Sequence, residues 1–140
     1  MSDMAKFRQE HARLVEIVDR LKRVIEAPAP PSAVELYAIR RELASTLIGH
    51  LKAEDWALYP RLLESADAQI VATARAFSEE MGGLADAFVA YAQRWDAMAM
   101  ERDWTGFRSE TSAIIDALRS RIVRENRELY PLIDRLDRAA

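Results

Sequence analysis

An eleven-residue stretch occurs twice in this chain, and that repetition limits what the chain can fold into. The first copy runs from His50 to Pro60 as His-Leu-Lys-Ala-Glu-Asp-Trp-Ala-Leu-Tyr-Pro, the second from Arg121 to Pro131 as Arg-Ile-Val-Arg-Glu-Asn-Arg-Glu-Leu-Tyr-Pro. Both keep a glutamate in fifth place (Glu54, Glu125), an acid or amide after it (Asp55, Asn126) and the ending Leu-Tyr-Pro. The match extends backwards: Phe7, Glu10, His11 and Leu14 are answered seventy residues later by Phe77, Glu80, Met81 and Leu84. A chain built twice on one plan reads as two helical hairpins packed on each other. Each plan has three inward polar positions, filled by His11, His50 and Glu54 in the first half and by Met81, Arg121 and Glu125 in the second.

The apolar residues between these positions recur at spacings of four and three, the pattern of a helix with one buried face. The first helix is expected to start at Ser2 or Asp3 and to turn Phe7, His11, Leu14, Val18, Leu21 and Ile25 inward. The Ala-Pro-Ala-Pro-Pro run at residues 27–31 stops it, because proline lacks an N–H and fixes φ. Ser32 followed by Glu35 is a capping box for a second helix with Leu36, Leu43, Leu47, His50, Glu54 and Leu58 inward. Pro60 falls inside that pattern, which predicts a kink or a loosened last turn ending near Ser65. Asp67 caps a third helix carrying Ile70, Ala74, Phe77, Met81, Leu84, Phe88, Tyr91 and Trp95. Gly82 and Gly83 sit mid-helix, where each costs about 1 kcal/mol relative to alanine, and are read as a place of close packing against a neighbouring helix rather than a functional hinge. Residues 101–106 form the third turn; a fourth helix with Ile114, Leu118, Arg121, Glu125, Leu129 and Leu132 inward ends near Ala139. Short connections between long helices predict an all-α, up-down-up-down antiparallel four-helix bundle, a single domain over residues 1–140.

Composition removes whole classes of function. The absence of cysteine excludes disulfides, zinc–thiolate sites, iron–sulfur clusters and thiol catalysis. No apolar run is long enough to span a bilayer and no signal peptide is visible, so the expected address is cytoplasmic, with no membrane contact. A formal charge of -3 gives no electrostatic reason to bind nucleic acid. The arginines at the end of the chain (Arg119, Arg121, Arg124, Arg127, Arg135, Arg138) alternate with Glu125, Glu128, Asp134 and Asp137 and read as a solvated, ion-paired helix face rather than a phosphate-binding patch. No phosphate-binding glycine loop or nucleophile elbow occurs, which points away from an enzyme.

Unpaired charges inside a core cost several kcal/mol, so His11, His50, Glu54, Arg121 and Glu125 on inward stripes need an explanation. Two imidazoles and two carboxylates converging inside a helical bundle suit iron, manganese or zinc. The opposing explanation makes Arg121 a replacement for metal: a guanidinium between Glu54 and Glu125 can donate to both carboxylates and neutralise them. His11 and His50 are then hydrogen-bonded core histidines. Tyr59 and Tyr130 read as packed under the proline-bent helix ends rather than redox-active, and Trp56 and Trp104 as surface or interface anchors.

These positions resemble the hemerythrin-like, HHE cation-binding family over essentially the whole chain. The resemblance rests on His11, on His50-Leu-Lys-Ala-Glu54 with its trailing Leu58-Tyr59-Pro60, and on Glu125 with Leu129-Tyr130-Pro131. It implies a non-haem di-iron centre in which two carboxylates bridge the irons and imidazoles fill other positions, in proteins that bind oxygen, sense iron, oxygen or nitric oxide, or take part in iron–sulfur repair. It places ligands at His11, His50, Glu54 and Glu125. The family's histidines are missing where this chain has Met81 and Arg121. Methionine is a poor ligand for a hard iron ion, and arginine brings a fixed positive charge to the second cation's place. Glu80 is one residue off the inward stripe and is not expected to substitute.

The leading expectation is therefore a non-catalytic regulatory or binding module with an incomplete site, metal-free through Arg121. The rival is an iron-binding sensor or carrier for oxygen, nitric oxide or iron that uses His11, His50, Glu54 and Glu125, mononuclear rather than di-iron. A protein partner fits either reading, and the chain is expected to act as a monomer or a homodimer.

Overall fold

Short polar caps and prolines divide the chain into helices, and they do so in more places than the stripes alone suggest. The computed structural model describes the backbone of residues 3–139 and the side chains of residues 4–136. Ser2, one of the two starts expected for the first helix, lies outside the described residues, as do the side chains of Asp137 and Arg138. Every regular element among the described residues is helical. Helix α1 (Asp3–Glu26) stops before the proline run. Helix α2 (Ala33–Ala53) opens on Ser32, whose Oγ accepts the Glu35 N–H at 3.1 Å, as the capping pattern predicts. It continues without a gap into a single π turn, π1 (Glu54–Leu58), and the short α3 (Tyr59–Leu63). Helix α4 (Ala68–Met81) is capped by Asp67, whose Oδ1 accepts the N–H groups of Gln69 and Ile70 at 2.9 and 3.1 Å. There follow α5 (Leu84–Arg94), α6 (Ala97–Arg102), α7 (Trp104–Arg124), a second π turn, π2 (Glu125–Leu129), and α8 (Tyr130–Ala139).

Three of these features correct the sequence reading. The third helix is not continuous. Gly82 and Gly83 separate α4 from α5, and the reason is local rather than close approach of another helix. A Cβ on Gly82 would lie 2.3 Å from the carbonyl oxygen of Ser78, in the turn before it, while one on Gly83 would meet nothing within 4 Å. The third connection begins earlier than residue 101. Trp95 and Asp96 leave the helix, Asp96 caps α6 through the Ala99 N–H at 2.8 Å, and Asp103 caps α7 through the Gly106 N–H at 2.9 Å. Two aspartates seven residues apart thus start two helices where a single turn was expected. On α7 the buried line is Phe107, Thr111, Ile115, Leu118 and Ile122, so Ile115 rather than Ile114 faces fully inward.

Helix α1 packs against α2 and α7, and α5 packs against the same two, while α3 packs on α4 and α4 on π2. The apolar interior falls into two clusters. One gathers Leu14, Leu21, Leu47, Leu51, Phe88, Phe107 and Leu118; the other gathers Phe7, Leu58, Tyr59, Ile70, Phe77, Leu129 and Tyr130. Each fully buried side chain of this kind contributes roughly 1.5–3 kcal/mol, so the two clusters outweigh the cost of a polar layer between them. That layer is where His11, His50, Glu54, Arg121 and Glu125 lie, each flanked along its helix by members of both clusters. On the outer faces Arg124 pairs with Glu128, as the alternation of charge predicts, but also with Glu80 on α4, and Arg119 pairs with Asp19 on α1; Arg121, of the same arginine-rich stretch, is buried instead of solvated. Trp56 is exposed, with Lys52 over its ring, whereas Trp104 packs half-buried against the first cluster. No helix among the described residues is long and apolar enough to cross a membrane.

Candidate metal centre

The two π turns shape the centre. Pro60 and Pro131 have no N–H to give to the preceding turn, and the chain absorbs the loss by widening one turn just ahead of each. The Tyr59 N–H reaches back five residues to the Glu54 carbonyl, and the Tyr130 N–H to that of Glu125. The extra residue shifts the register by one position, about 100° of rotation, so the residue after each leucine also turns inward. Leu58 and Tyr59 are both buried, as are Leu129 and Tyr130. The tyrosines do more than the packing expected of them. The Tyr59 hydroxyl donates to Glu125 Oε2 at 2.6 Å, and the Tyr130 hydroxyl donates to Glu54 Oε2. Each copy of Leu-Tyr-Pro therefore holds the glutamate of the other copy.

His11 on α1, His50 near the end of α2, and Glu54 and Glu125 at the starts of the two π turns come together in the polar layer. One ligand atom from each lies within 4.8 Å of all the others, and none of the four side chains is more than 2% exposed. Both imidazoles are oriented from behind. His11 Nδ1 is 2.8 Å from Asn126 Oδ1, and His50 Nδ1 is 2.8 Å from Glu10 Oε1. With a metal bound, an oxygen acceptor opposite Nδ1 holds the proton there and leaves the Nε2 lone pair for the ion, the arrangement typical of metal-ligating histidines; without it, which ring nitrogen donates depends on the tautomer. His11 Nε2 lies 3.0 Å from Glu125 Oε1 and 3.1 Å from the Tyr130 hydroxyl. His50 Nε2 lies 3.1 Å from Glu54 Oε1, yet the alignment is too poor for a hydrogen bond and the atom is buried without a partner.

The donor set fits a metal ion of the iron, manganese or zinc kind, two nitrogens and two carboxylate oxygens with inward lone pairs. Ligand atoms about 2.1 Å from an ion stand at most about 4.2 Å apart. Closing the cluster on an ion therefore asks for a contraction of roughly half an ångström.

The other half of the layer belongs to Arg121. Its Nε donates to Glu125 Oε2 at 3.1 Å, Nη2 to Glu54 Oε1 at 3.2 Å and to Asp55 Oδ1 at 2.6 Å, and Nη1 to the Met81 carbonyl at 3.2 Å. The guanidinium is thus clamped between the two glutamates. Met81 contributes its backbone rather than its thioether. In an unbroken helix its carbonyl would bond the N–H four residues on; because α4 ends at the glycine pair, the carbonyl is released at a helix C-terminus, where the helix dipole also favours a cation. Glu80 is exposed on Arg124 and takes no part in the centre.

Electrostatics set the two glutamates apart. Burial opposes ionisation of Glu125, but the His11 hydrogen bond, the Arg121 charge and the Tyr59 hydroxyl outweigh it and bring its carboxyl down to about 2. Burial dominates at Glu54 and, with the Glu125 charge, pushes it up. Burial also works against charge on His50, but Glu54 and Glu10 more than compensate, and its imidazole is raised. Arg121 is desolvated too, and Glu125, Asp55 and Glu54 hold it above the ordinary arginine value. Two ionised glutamates against one guanidinium leave the layer short of positive charge, which a proton on Glu54 or His50, or a metal ion, supplies.

Asp55, Asn126 and Glu10 were not singled out as site residues in the sequence. The repeat carried the signal: Asp55 and Asn126 are the residues after the two repeated glutamates, and Glu10 precedes His11. Asp55 faces the charged arginine and Asn126 the imidazole, so the acid-or-amide difference between the copies matches the difference in what each holds.

The fold and the centre define an all-helical class of protein whose interior holds a His/Glu cluster that could take a metal ion. The hemerythrin HHE cation-binding domain matches residues 3–133, and the chain belongs to that family. No curated protein and no solved structure matches it.

Proposed function

We propose that this chain is a single-domain hemerythrin-like binding module, its main helices running up-down-up-down, in which half of the di-metal centre is kept and half is replaced. His11, His50, Glu54 and Glu125 hold one iron, and the Arg121 guanidinium stands in for the second cation. The observation that carries this reading is the His50 Nε2 atom, buried and without a hydrogen bond while Glu10 fixes its other ring nitrogen. A proton there would remain badly aligned on Glu54; a metal ion satisfies it together with the other three donors. When bound, iron at such a site offers an open coordination position to a diatomic ligand such as oxygen or nitric oxide. With Arg121 in the second position the centre has one metal, which favours a sensor or carrier of such a ligand over two-metal chemistry.

The four hydrogen bonds on Arg121 favour a second reading, a metal-free regulatory module in which His50 carries a proton. Anaerobic calorimetric titration of chelator-stripped protein with ferrous ion separates the two. The first reading expects one saturable site that disappears in His50→Ala. A flat titration of the folded wild-type chain, or equal uptake by His50→Ala, would refute it.

A further inference from the structure

Ten residues before His50 on α2, roughly 15 Å along the helix axis, Arg40 differs from most of the half-buried arginines, which have a carboxylate partner, and from Arg108, whose Nε donates to the Ile25 carbonyl. Arg8 has Asp134 at 2.6 Å, Arg20 has Glu42 at 2.6 Å, and Arg119 has Asp19. Arg40 pairs with no carboxylate among the described residues. Its guanidinium carbon lies 5.5 Å from the centre of the Phe107 ring and 6.0 Å from that of Tyr91, and its Nη1 faces the Met100 sulfur at 3.6 Å. The Tyr91 hydroxyl is a further neutral partner, and a hydroxyl, aromatic faces and a thioether leave the charge without a counter-ion.

This arginine lines a cavity of about 270 Å³ between α1, α2 and α5. Leu21, Phe88 and Tyr91 make its apolar walls, and Tyr37 and the exposed Arg41 border it. A dry cavity of about 150 Å³ takes a benzene ring, so this one accommodates roughly ten non-hydrogen atoms. We infer that the Arg40 cavity is a second binding site, separate from the metal centre, for a small amphipathic monocarboxylate. The aryl or short alkyl body lies against Phe88, Tyr91 and Leu21, and the carboxylate meets the Arg40 guanidinium, whose paired N–H groups match a planar carboxylate.

The test is calorimetric titration of the full chain with 3-phenylpropanoate and, at the same ionic strength, with the neutral 3-phenylpropan-1-ol. Saturable one-to-one binding of the carboxylate, with the alcohol at least about tenfold weaker, is the expected result, since a charge-assisted pair is what separates them. Arg40→Gln should weaken the carboxylate about tenfold and leave the alcohol unchanged. Ala92→Leu, which fills the cavity without touching its charge, should weaken both ligands if the arginine variant fails to fold. Equal affinity for acid and alcohol, no saturation by the acid, or undiminished carboxylate binding in a folded variant would overturn the assignment. Ferrous uptake should be the same in Arg40→Gln as in the wild type, which keeps this site distinct from the metal centre.

Discussion

Replacing Arg121 by alanine removes the only cation among the described residues that touches both buried glutamates. Glu54 and Glu125 are 0% exposed and Asp55 is 19% exposed at its side chain, so little water can take the place of the guanidinium. Stripping one partner from a buried ion pair costs about 3–5 kcal/mol. A chain of 140 residues has an unfolding entropy near 0.3 kcal/mol per kelvin, so that loss lowers Tm by about 10–17 °C. The assay is thermal unfolding of both proteins in the presence of a chelator, so that no metal can move into the vacated position. The penalty should also depend on pH with a definite sign. Glu125 titrates near 2 in the folded wild type, below its ordinary value of 4.5; it therefore stabilises the fold above pH 4.5, and that contribution is lost as pH falls towards 2. Without Arg121 much of this depression disappears, so the gap in Tm between wild type and variant should narrow as pH is lowered from 6 towards 3. Arg121→Lys keeps the charge but not the fork of donors and should fall between the two. A fall of less than about 3 °C for Arg121→Ala at neutral pH, or a gap that widens in acid, would refute the clamp.

Gly82→Ala should destabilise the fold by about 1–3 kcal/mol, because the added Cβ would lie 2.3 Å from the Ser78 carbonyl oxygen, whereas Gly83→Ala, with nothing within 4 Å, should be neutral or slightly stabilising. Denaturant unfolding of the two variants checks this, and equal effects would contradict the local origin of the break. Glu10→Ala removes the carboxylate that orients His50 from behind and should weaken ferrous affinity by about 10–100-fold with little change in Tm. Unchanged affinity would mean that His50 is not a ligand.

Much of the fold was legible because the four-and-three stripes record burial directly. Leu14, Val18, Leu43, Leu47, Phe77 and Leu118 are all buried as the spacing predicts, and Ser32 and Asp67 cap the helices they precede. What escaped the stripes was any change of helical period. A single π turn adds one residue without altering composition, and only the internal prolines hinted at it, so Tyr59 and Tyr130 read as one position off the core although the widened turns bring their hydroxyls onto the glutamates. The glycine pair was visible, but whether it packed or broke the helix depended on the backbone around Ser78. Within the centre, the inward position of Arg121 followed from the repeat, and its place between Glu54 and Glu125 was one of two explanations the sequence left open, whereas Asp55, Asn126 and Glu10 act through another residue rather than at the centre itself, and pattern reading passes over such residues.

The centre's half-kept character is tested most directly by metal content. Tag-free protein from iron-supplemented culture, measured by elemental analysis with an optical spectrum alongside, should carry about one iron per chain, and Arg121→His should raise the value. Two irons per chain in the wild type, with oxo-bridged charge-transfer bands, or less than about a tenth of an equivalent in stably folded protein, would contradict it.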